Sequence, residues 1–479
     1  MQTKNLINGK WVTGPGSATF DVTNPATDEV IAEVPDGDEA HARAAIDAAS
    51  EAQQKWRTRP ATERADRLRT FATIMQRERE RLAAIMTAEQ GKPIREARGE
   101  IDYAGSFIAW AAGEAERIYG DIIPATAPDK RILVLRQPVG VTAAITPWNF
   151  PSAMITRKLG PALAAGCTQV VRPASATPLS AIALGEVADE AGIPPGVVNI
   201  ITGSAKAIGK AIFDDSRVRK VSFTGSTEVG KTLIRQSADQ VMRLSLELGG
   251  HAPFIIFDDA DVDLAIEQVM AAKFRNTGQS CVALNMCLVH ESLYERVRDG
   301  LAAKIAKLIV GPGNDEKTDI GPLIDDDAVA KAREHVEDAR DRGATVVHGG
   351  ETLDMGAGYT DRFFMPTLLD QVDDAMQIST EETFGPVLPL RTFHDEAEAV
   401  AIANNSRFGL AAYFCTQNAA RLLRVAEALE YGIIGINDGV PSTAQAPFGG
   451  VKESGYGREG GQYVMHEYLD IKYISIGGV

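Results

Sequence analysis

The sequence predicts an α/β fold built from two doubly wound, mainly parallel sheets and a small separate β ribbon. Three observations carry that prediction. From Val139 to Ser237, apolar strand-like runs alternate with helix-like segments, the pattern of parallel strands joined by helical crossovers. A second series of the same kind runs from Phe254 to Asn437. Residues 121–138 and Tyr468–Ile476 instead read as extended segments that must pack elsewhere, since an isolated ribbon is only marginally stable.

At the amino end, Leu6–Val12 reads as a strand, an Asn-Gly turn and a second strand. Asp38–Arg117 is Ala-rich with apolar positions three and four residues apart, so it is helical, and Gln90-Gly91-Lys92-Pro93 is expected to divide it into two helices. The first alternating series predicts strands at Val139–Ile145, Thr168–Arg172, Val197–Ile201 and Val218–Phe223. Helices are predicted at Ser152–Ala165, Ser180–Ala191, Ala205–Phe213 and Ser226–Ser237. The second series predicts strands at 254–257, Met286–Val289, Thr345–Val347, Ala412–Cys415 and Ile433–Asn437. Its helices are Val262–Lys273, Ser292–Leu308, Asp326–Arg342, Glu396–Ala403 and Gln417–Leu429. Tyr468–Ile476 alternates like an exposed edge strand.

Composition narrows the function. The 479 residues suit two or three domains, and 44% hydrophobic with 24% charged residues is ordinary for a globular protein. A net charge of −16 argues against nucleic acid or an anionic membrane as a partner. The amino end lacks a signal-peptide core, and no apolar run is long enough to span a bilayer, so a cytoplasmic location is expected. Four cysteines without a paired framework fit a reducing compartment. Cys281 and Cys287 are six residues apart, and the seven histidines form no HxxH or HExxH pair, so no metal site is expected.

One stretch carries chemistry on its own. Phe274-Arg275-Asn276-Thr277-Gly278-Gln279-Ser280-Cys281 places a cysteine at the end of a short polar run that stops a helix. A thiolate there attacks carbonyl carbon once its pKa is lowered, although a buried inert cysteine would read the same way. The sheet pattern adds a nucleotide reading, because such sheets bind nucleotides beyond the carboxyl ends of their strands. No GxGxxG run is present. Phe223-Thr224-Gly225-Ser226 ends a strand and opens a helix, where N–H groups meet a phosphate or Ser226 merely caps the helix.

Six motifs appear along the chain: Pro147-Trp148-Asn149-Phe150-Pro151, Phe223-Thr224-Gly225-Ser226, Glu247-Leu248-Gly249-Gly250, Gly278-Gln279-Ser280-Cys281, Glu382-Thr383-Phe384-Gly385-Pro386 and Pro447-Phe448-Gly449-Gly450. Together and in this order they resemble the aldehyde dehydrogenase superfamily over the whole chain. The runs Ile155–Gly160, Lys273–Gln279 and Gly455–Gly460 resemble its succinate semialdehyde dehydrogenases in particular.

The resemblance implies an enzyme in which residues 1–120 and 139–250 form a Rossmann-like NAD(P)-binding domain and 251–440 the catalytic domain. It makes 121–138 and 465–479 oligomerisation segments of a homodimer or homotetramer. It implies Cys281 as nucleophile, Glu247 as general base and Asn149, with the Cys281 N–H, as oxyanion donor. Trp148, Gly225, Ser226, Leu248, Glu382 and Phe384 would hold the nicotinamide ribose and pyrophosphate, and Arg172 and Ser175 the adenosine ribose. Members that prefer NAD often carry Glu at the position of Ser175. A serine there removes a charge that repels a 2′-phosphate, so NADP is favoured and NAD remains usable. Arg157, Arg275 and Ser442 would bind the distal carboxylate of an acidic semialdehyde: succinate semialdehyde first, glutarate or 2-oxoglutarate semialdehyde as alternatives. A cysteine hydrolase would leave the nucleotide-type sheet unexplained, a CoA-acylating enzyme would usually lack Glu247, and a catalytically silent protein of this fold would not need all three catalytic residues.

Overall fold

The computed structural model describes residues 1–13 and 18–479. Its first sheet has eight strands in the spatial order Lys10–Val12, Asn5–Ile7, Val198–Ile200, Thr168–Arg172, Val141–Ile145, Val218–Thr224, Arg243–Glu247, Gly455–Tyr456. The five strands from Val198–Ile200 to Arg243–Glu247 run parallel, and the edge pairs are antiparallel. The chain starts this parallel set at Val141–Ile145, builds outward through 168–172 and 198–200, then returns to add 218–224 and 243–247 on the other side. The order therefore reverses between Val141–Ile145 and Val218–Thr224, and a crevice opens beyond the carboxyl ends of those two strands.

The second sheet orders seven strands as Thr345–His348, Thr367–Asp370, Val387–Phe393, Leu284–His290, Ala252–Ile256, Ala411–Cys415, Ile433–Ile436. Only the first of these is antiparallel to its neighbour. Four residues separate the carboxyl end of Arg243–Glu247 from the amino end of Ala252–Ile256. The carboxyl edge of one sheet is thereby joined to the amino edge of the other. Cys281 lies just before strand Leu284–His290, on that same amino edge.

The extended segments pair with each other. Leu469–Gly477 runs antiparallel to Lys130–Pro138 over its full length, and Asp121–Ile123 covers the far edge of the latter. Ile122, Ile471 and Tyr473 stand exposed on this ribbon.

The helical region differs from expectation. It holds four helices, Glu39–Trp56, Ala61–Arg77, Arg79–Gln90 and Ile94–Ala115, not two. Pro60 has no N–H to donate and sits extended (ψ 145°) before the second helix. Glu78 alone separates the second helix from the third, with φ −90° and ψ 10°. A one-residue break leaves the apolar spacing nearly continuous, so periodicity does not reveal it. Strands Thr367–Asp370 and Val387–Phe393 were also not predicted, being short runs whose period does not separate strand from helix.

The helix Pro151–Ala165 matters most for the site. Every one of its residues is buried, including Arg157 and Lys158. It packs on Ile94–Ala115, where Gly160 brings the two backbones close: a Cβ there would lie 3.1 Å from that of Ala111. A helix buried all round that carries two cations must supply each with a partner. No helix among the described residues is long and apolar enough to cross a membrane.

Candidate active site

Three loops close the crevice. Residues 146–150 leave strand Val141–Ile145, residues 275–281 lead to the cysteine, and residues 381–386 come from the second sheet. Two of them hold residues in the left-handed region: Asn276 (φ 52°), Thr277 (φ 58°) and Phe384 (φ 54°). Such conformations cost on the order of 1 kcal/mol each and persist only where the surroundings enforce them. Here Asn276 N donates to Glu96 Oε2 at 2.6 Å, and its Nδ2 donates to the carbonyls of Asn149 (2.9 Å) and Gln279 (3.0 Å). The cysteine loop is thus tied directly to the Asn149 loop.

Between these loops lies a cavity of about 220 Å³. Cys281 and Asn149 form its reactive wall, with Met154 beside them. Trp148, Leu248 and Phe384 supply apolar surface, and the Trp148 and Phe384 rings meet edge to face at 5.5 Å. Gly225, Ser226 and Glu382 also line it. Eight residues expected from the sequence therefore share one cavity. It continues into a wider cleft of about 740 Å³ through the shared Ser226, Gly249 and Glu382, with Lys331 and Arg407 on the outer walls.

Ser226 caps helix Thr227–Ser237, its Oγ accepting from Val229 N at 3.4 Å, and the amino end of that helix borders the cleft. Glu382 accepts from Gly250 N at 3.2 Å, and burial pushes its carboxyl up to about 7. Burial pushes the Cys281 thiol up to about 12, with Arg157 pulling the other way. The Cys281 side chain is therefore held as the thiol at neutral pH. Asn149 Nδ2 donates to Gln279 O at 3.1 Å, while its Oδ1 has no partner. Gly250 is required beside Cys281 because a Cβ there would strike the Cys281 carbonyl oxygen.

Glu247 is not part of the cavity lining but lies near enough to Cys281 for its charge to act on the thiol. It is 2% exposed, and neither carboxylate oxygen has a hydrogen-bond partner. Burial first, and then the neighbouring Glu459, raise its pKa well above the usual carboxylate range. It is not a surface salt-bridge residue.

The two arginines also differ from surface charges. Arg157 is 1% exposed and stacks 3.8 Å over Phe448, with Phe107 at 5.3 Å. Glu459 Oε2 is 2.9 Å from Arg157 Nε, off the N–H axis, so the contact is an ion pair without a hydrogen bond. Nη2 of Arg157 has no hydrogen-bond partner among the described residues. Arg275 is half-buried over Phe150 (5.0 Å) and Tyr103 (6.0 Å), and Tyr103 meets Phe107 edge to face at 4.9 Å. Both guanidiniums therefore flank one aromatic pair on helix Ile94–Ala115. Ser442 is half-buried in the segment after Ile433–Ile436 and bonds neither arginine.

Arg172 and Ser175 meet each other at the carboxyl end of strand Thr168–Arg172. Arg172 Nη2 donates to Ser175 Oγ and to Gly203 O, each at 2.9 Å, and its buried Nε is unpartnered.

Sequence reasoning had no role for Glu459 or Lys158. Lys158 Nζ donates to Thr224 Oγ1 at 2.6 Å and pairs with Glu459 Oε1 at 2.5 Å. These partners are 301 residues apart in the chain, and no local pattern announces the pairing.

The profile of the Aldehyde dehydrogenase family matches residues 11–474. A succinate-semialdehyde dehydrogenase [NADP(+)] of Escherichia coli (strain K12) is 53% identical, the alignment covering 98% of this chain and 97% of that protein. A glutarate-semialdehyde dehydrogenase of Pseudomonas putida is likewise 53% identical, over 98% of this chain and 97% of its own. Among solved structures, an NADP-dependent enzyme of E. coli superposes with a TM-score of 0.98 at 53% identity, covering 99% of this chain and 98% of the other.

Proposed function

The chain belongs to the aldehyde dehydrogenase family, and from that premise we propose that it oxidises an acidic semialdehyde, foremost succinate semialdehyde, to the carboxylic acid with NADP as the favoured acceptor. The observation that carries the substrate class is Arg157: a guanidinium 1% exposed, clamped on Phe448, with Nη2 unsatisfied. A buried cation left short of partners is costly unless a ligand anion completes it. Arg275, which makes no ion pair among the described residues, offers the second charge across the Tyr103–Phe107 pair, and Ser442 the remaining donor.

Charge-assisted hydrogen bonds contribute about 1.5–3 kcal/mol. Arg275→Ala is therefore expected to cut kcat/KM for succinate semialdehyde about ten- to a hundredfold, and that for butanal much less. An equal fall for both substrates would assign Arg275 to seating the cysteine loop instead. Glutarate semialdehyde carries the same carboxylate one carbon further away, and in the same assay a higher kcat/KM for it would make it the preferred substrate.

The residues support the following chemistry. Cys281 Sγ adds to the aldehyde carbon as the thiol proton passes to a water molecule acting as base, the C=O π bond breaking onto oxygen. The carbonyl oxygen becomes an oxyanion within reach of the Asn149 amide and the Cys281 N–H. NADP, when bound, supplies the hydride acceptor that converts this adduct to a thioester. Glu247, once ionised, takes a proton from water as it adds to the thioester carbon, and the acid leaves as the thiol re-forms. The buried carboxyl of Glu247, free of hydrogen-bond partners among the described residues, supports hydrolysis over transfer of the acyl group to CoA.

The residues also fit the cofactor. Ser226 and the helix end behind it suit a pyrophosphate, Glu382 suits the nicotinamide-side ribose, and the unpartnered Nε of Arg172 beside Ser175 suits a 2′-phosphate. Ser175→Glu would pair internally with Arg172 and repel that phosphate. It is expected to shift the NADP/NAD ratio of kcat/KM at least about tenfold toward NAD, a change of about 1.4 kcal/mol. An unchanged ratio would place the 2′-phosphate elsewhere.

We assign the first sheet with its helices to the cofactor and the second to catalysis. The exposed apolar residues of the ribbon fit a face shared with another copy of the chain. A chain lacking 469–479 should sediment as a smaller assembly or precipitate; an unchanged assembly would refute that role. The four free cysteines fit a reducing cytoplasm.

A further inference from the structure

We propose that Lys92, in the Gln90–Pro93 joint between two helices, is a positioning residue that holds Asn149 in place for the first half of the reaction by gripping its main-chain carbonyl. Lys92 Nζ donates to Asn149 O at 2.8 Å and to Glu100 Oε2 at 2.5 Å, and it stands 4.1 Å over the Phe150 ring. Glu100 uses its other oxygen to accept from Ser152 N (3.0 Å) and Ala153 N (3.1 Å), the opening turn of helix Pro151–Ala165. The pair therefore grips the Asn149 loop from the carbonyl of Asn149 to the start of that helix.

Asn149 O accepts a second bond, from Asn276 Nδ2 at 2.9 Å. That one carbonyl joins three separate stretches: the helix joint, the oxyanion loop and the cysteine loop. Glu96, on the same helix as Glu100, adds its bond to Asn276 N. The distance between the Asn149 amide and Cys281 is thus fixed from Lys92, Glu96 and Glu100, none of which lines the cavity.

Stability alone is a poor reason for this arrangement. The side chains of Lys92 and Glu100 are each 1% exposed, and an apolar pair of similar volume is often as stable as a buried ion pair. An apolar side chain at residue 92 could not reach and hold a carbonyl, so the charge has a geometric task. A misplacement of about 1 Å can cost on the order of a hundredfold in rate.

The inference rests on Asn149 and Cys281 acting as proposed, so Asn149→Ala is measured in parallel. Lys92→Met and the double variant Lys92→Met/Glu100→Gln, which leaves no unpaired buried charge, are compared in three assays. The first is the burst of NADPH with succinate semialdehyde. The second is alkylation of Cys281 by iodoacetamide, a displacement at saturated carbon that forms no oxyanion. The third is the Kd for NADPH from fluorescence.

Both Lys92 variants should slow the burst about ten- to a hundredfold, with alkylation rate and Kd within about threefold of the parent. A burst within threefold of the parent would overturn the proposal. So would a parallel fall in all three quantities, or a double variant that does not fold, since either would make Lys92 a general structural residue. If Asn149→Ala kept its burst, the oxyanion reading itself would fail, whatever the Lys92 variants did.

Discussion

Cys281→Ala is expected to lower aldehyde oxidation by at least about 10⁴-fold while the affinity for NADPH stays within a factor of two to three. No other thiol can take over. Cys167, Cys287 and Cys415 are all buried, and Cys287, the nearest in sequence, lies within a central strand at 0% exposure. None lines the cavity that holds Asn149 and Glu382. Stopped-flow absorbance at 340 nm and fluorescence titration check the two halves of this expectation. Substantial residual turnover would mean that the carbon is attacked by something other than Cys281.

Glu247→Gln should separate the two halves of the reaction. The acyl-enzyme should form with a burst of about one NADPH per active site, followed by turnover slowed about 10²- to 10⁴-fold. The wild-type enzyme should show a pH dependence that the variant lacks. The Glu247 carboxyl is held above the usual carboxylate range, by burial first and Glu459 second, against the pull of Arg157, Lys158 and Arg458. It acts as a base only when ionised, so hydrolysis should rise as pH climbs through that raised value, and the variant should be flat there.

The sign for stability runs opposite. Between the ordinary value near 4.5 and the raised one, the folded state binds more protons at this site than the unfolded state. The contribution of Glu247 to stability is thus fully present below 4.5 and is lost as pH rises through the raised folded value. Glu247→Gln should therefore melt higher than the parent at pH values above that window. Loss of the burst itself would give Glu247 an earlier role, in removing the thiol proton.

Much of this was legible from residues alone because local chemistry announces it. Alternation of strand and helix set the two sheets, and most predicted elements match the structure to within two or three residues. The turn Asn276–Gly278 is a short-range requirement for left-handed backbone, whereas the close approach at Gly250 comes from the carbonyl of Cys281, far along the chain. The break at Glu78 was not legible, since a single residue leaves the apolar rhythm intact.

The sequence by itself determined the alternation of strands and helices along the chain and the family. The tertiary structure alone decided which charges are buried and against what. Arg157 reads as an ordinary arginine until Phe448 and Glu459 close on it from the far end of the chain. Lys92 reads as a turn residue until Glu100 and the Asn149 carbonyl enclose it. Propensity and periodicity act over a few residues. Desolvation and ion pairing depend on distances across 57 residues for Lys92 and Asn149, and 301 for Lys158 and Glu459, and these exist only once the chain is folded.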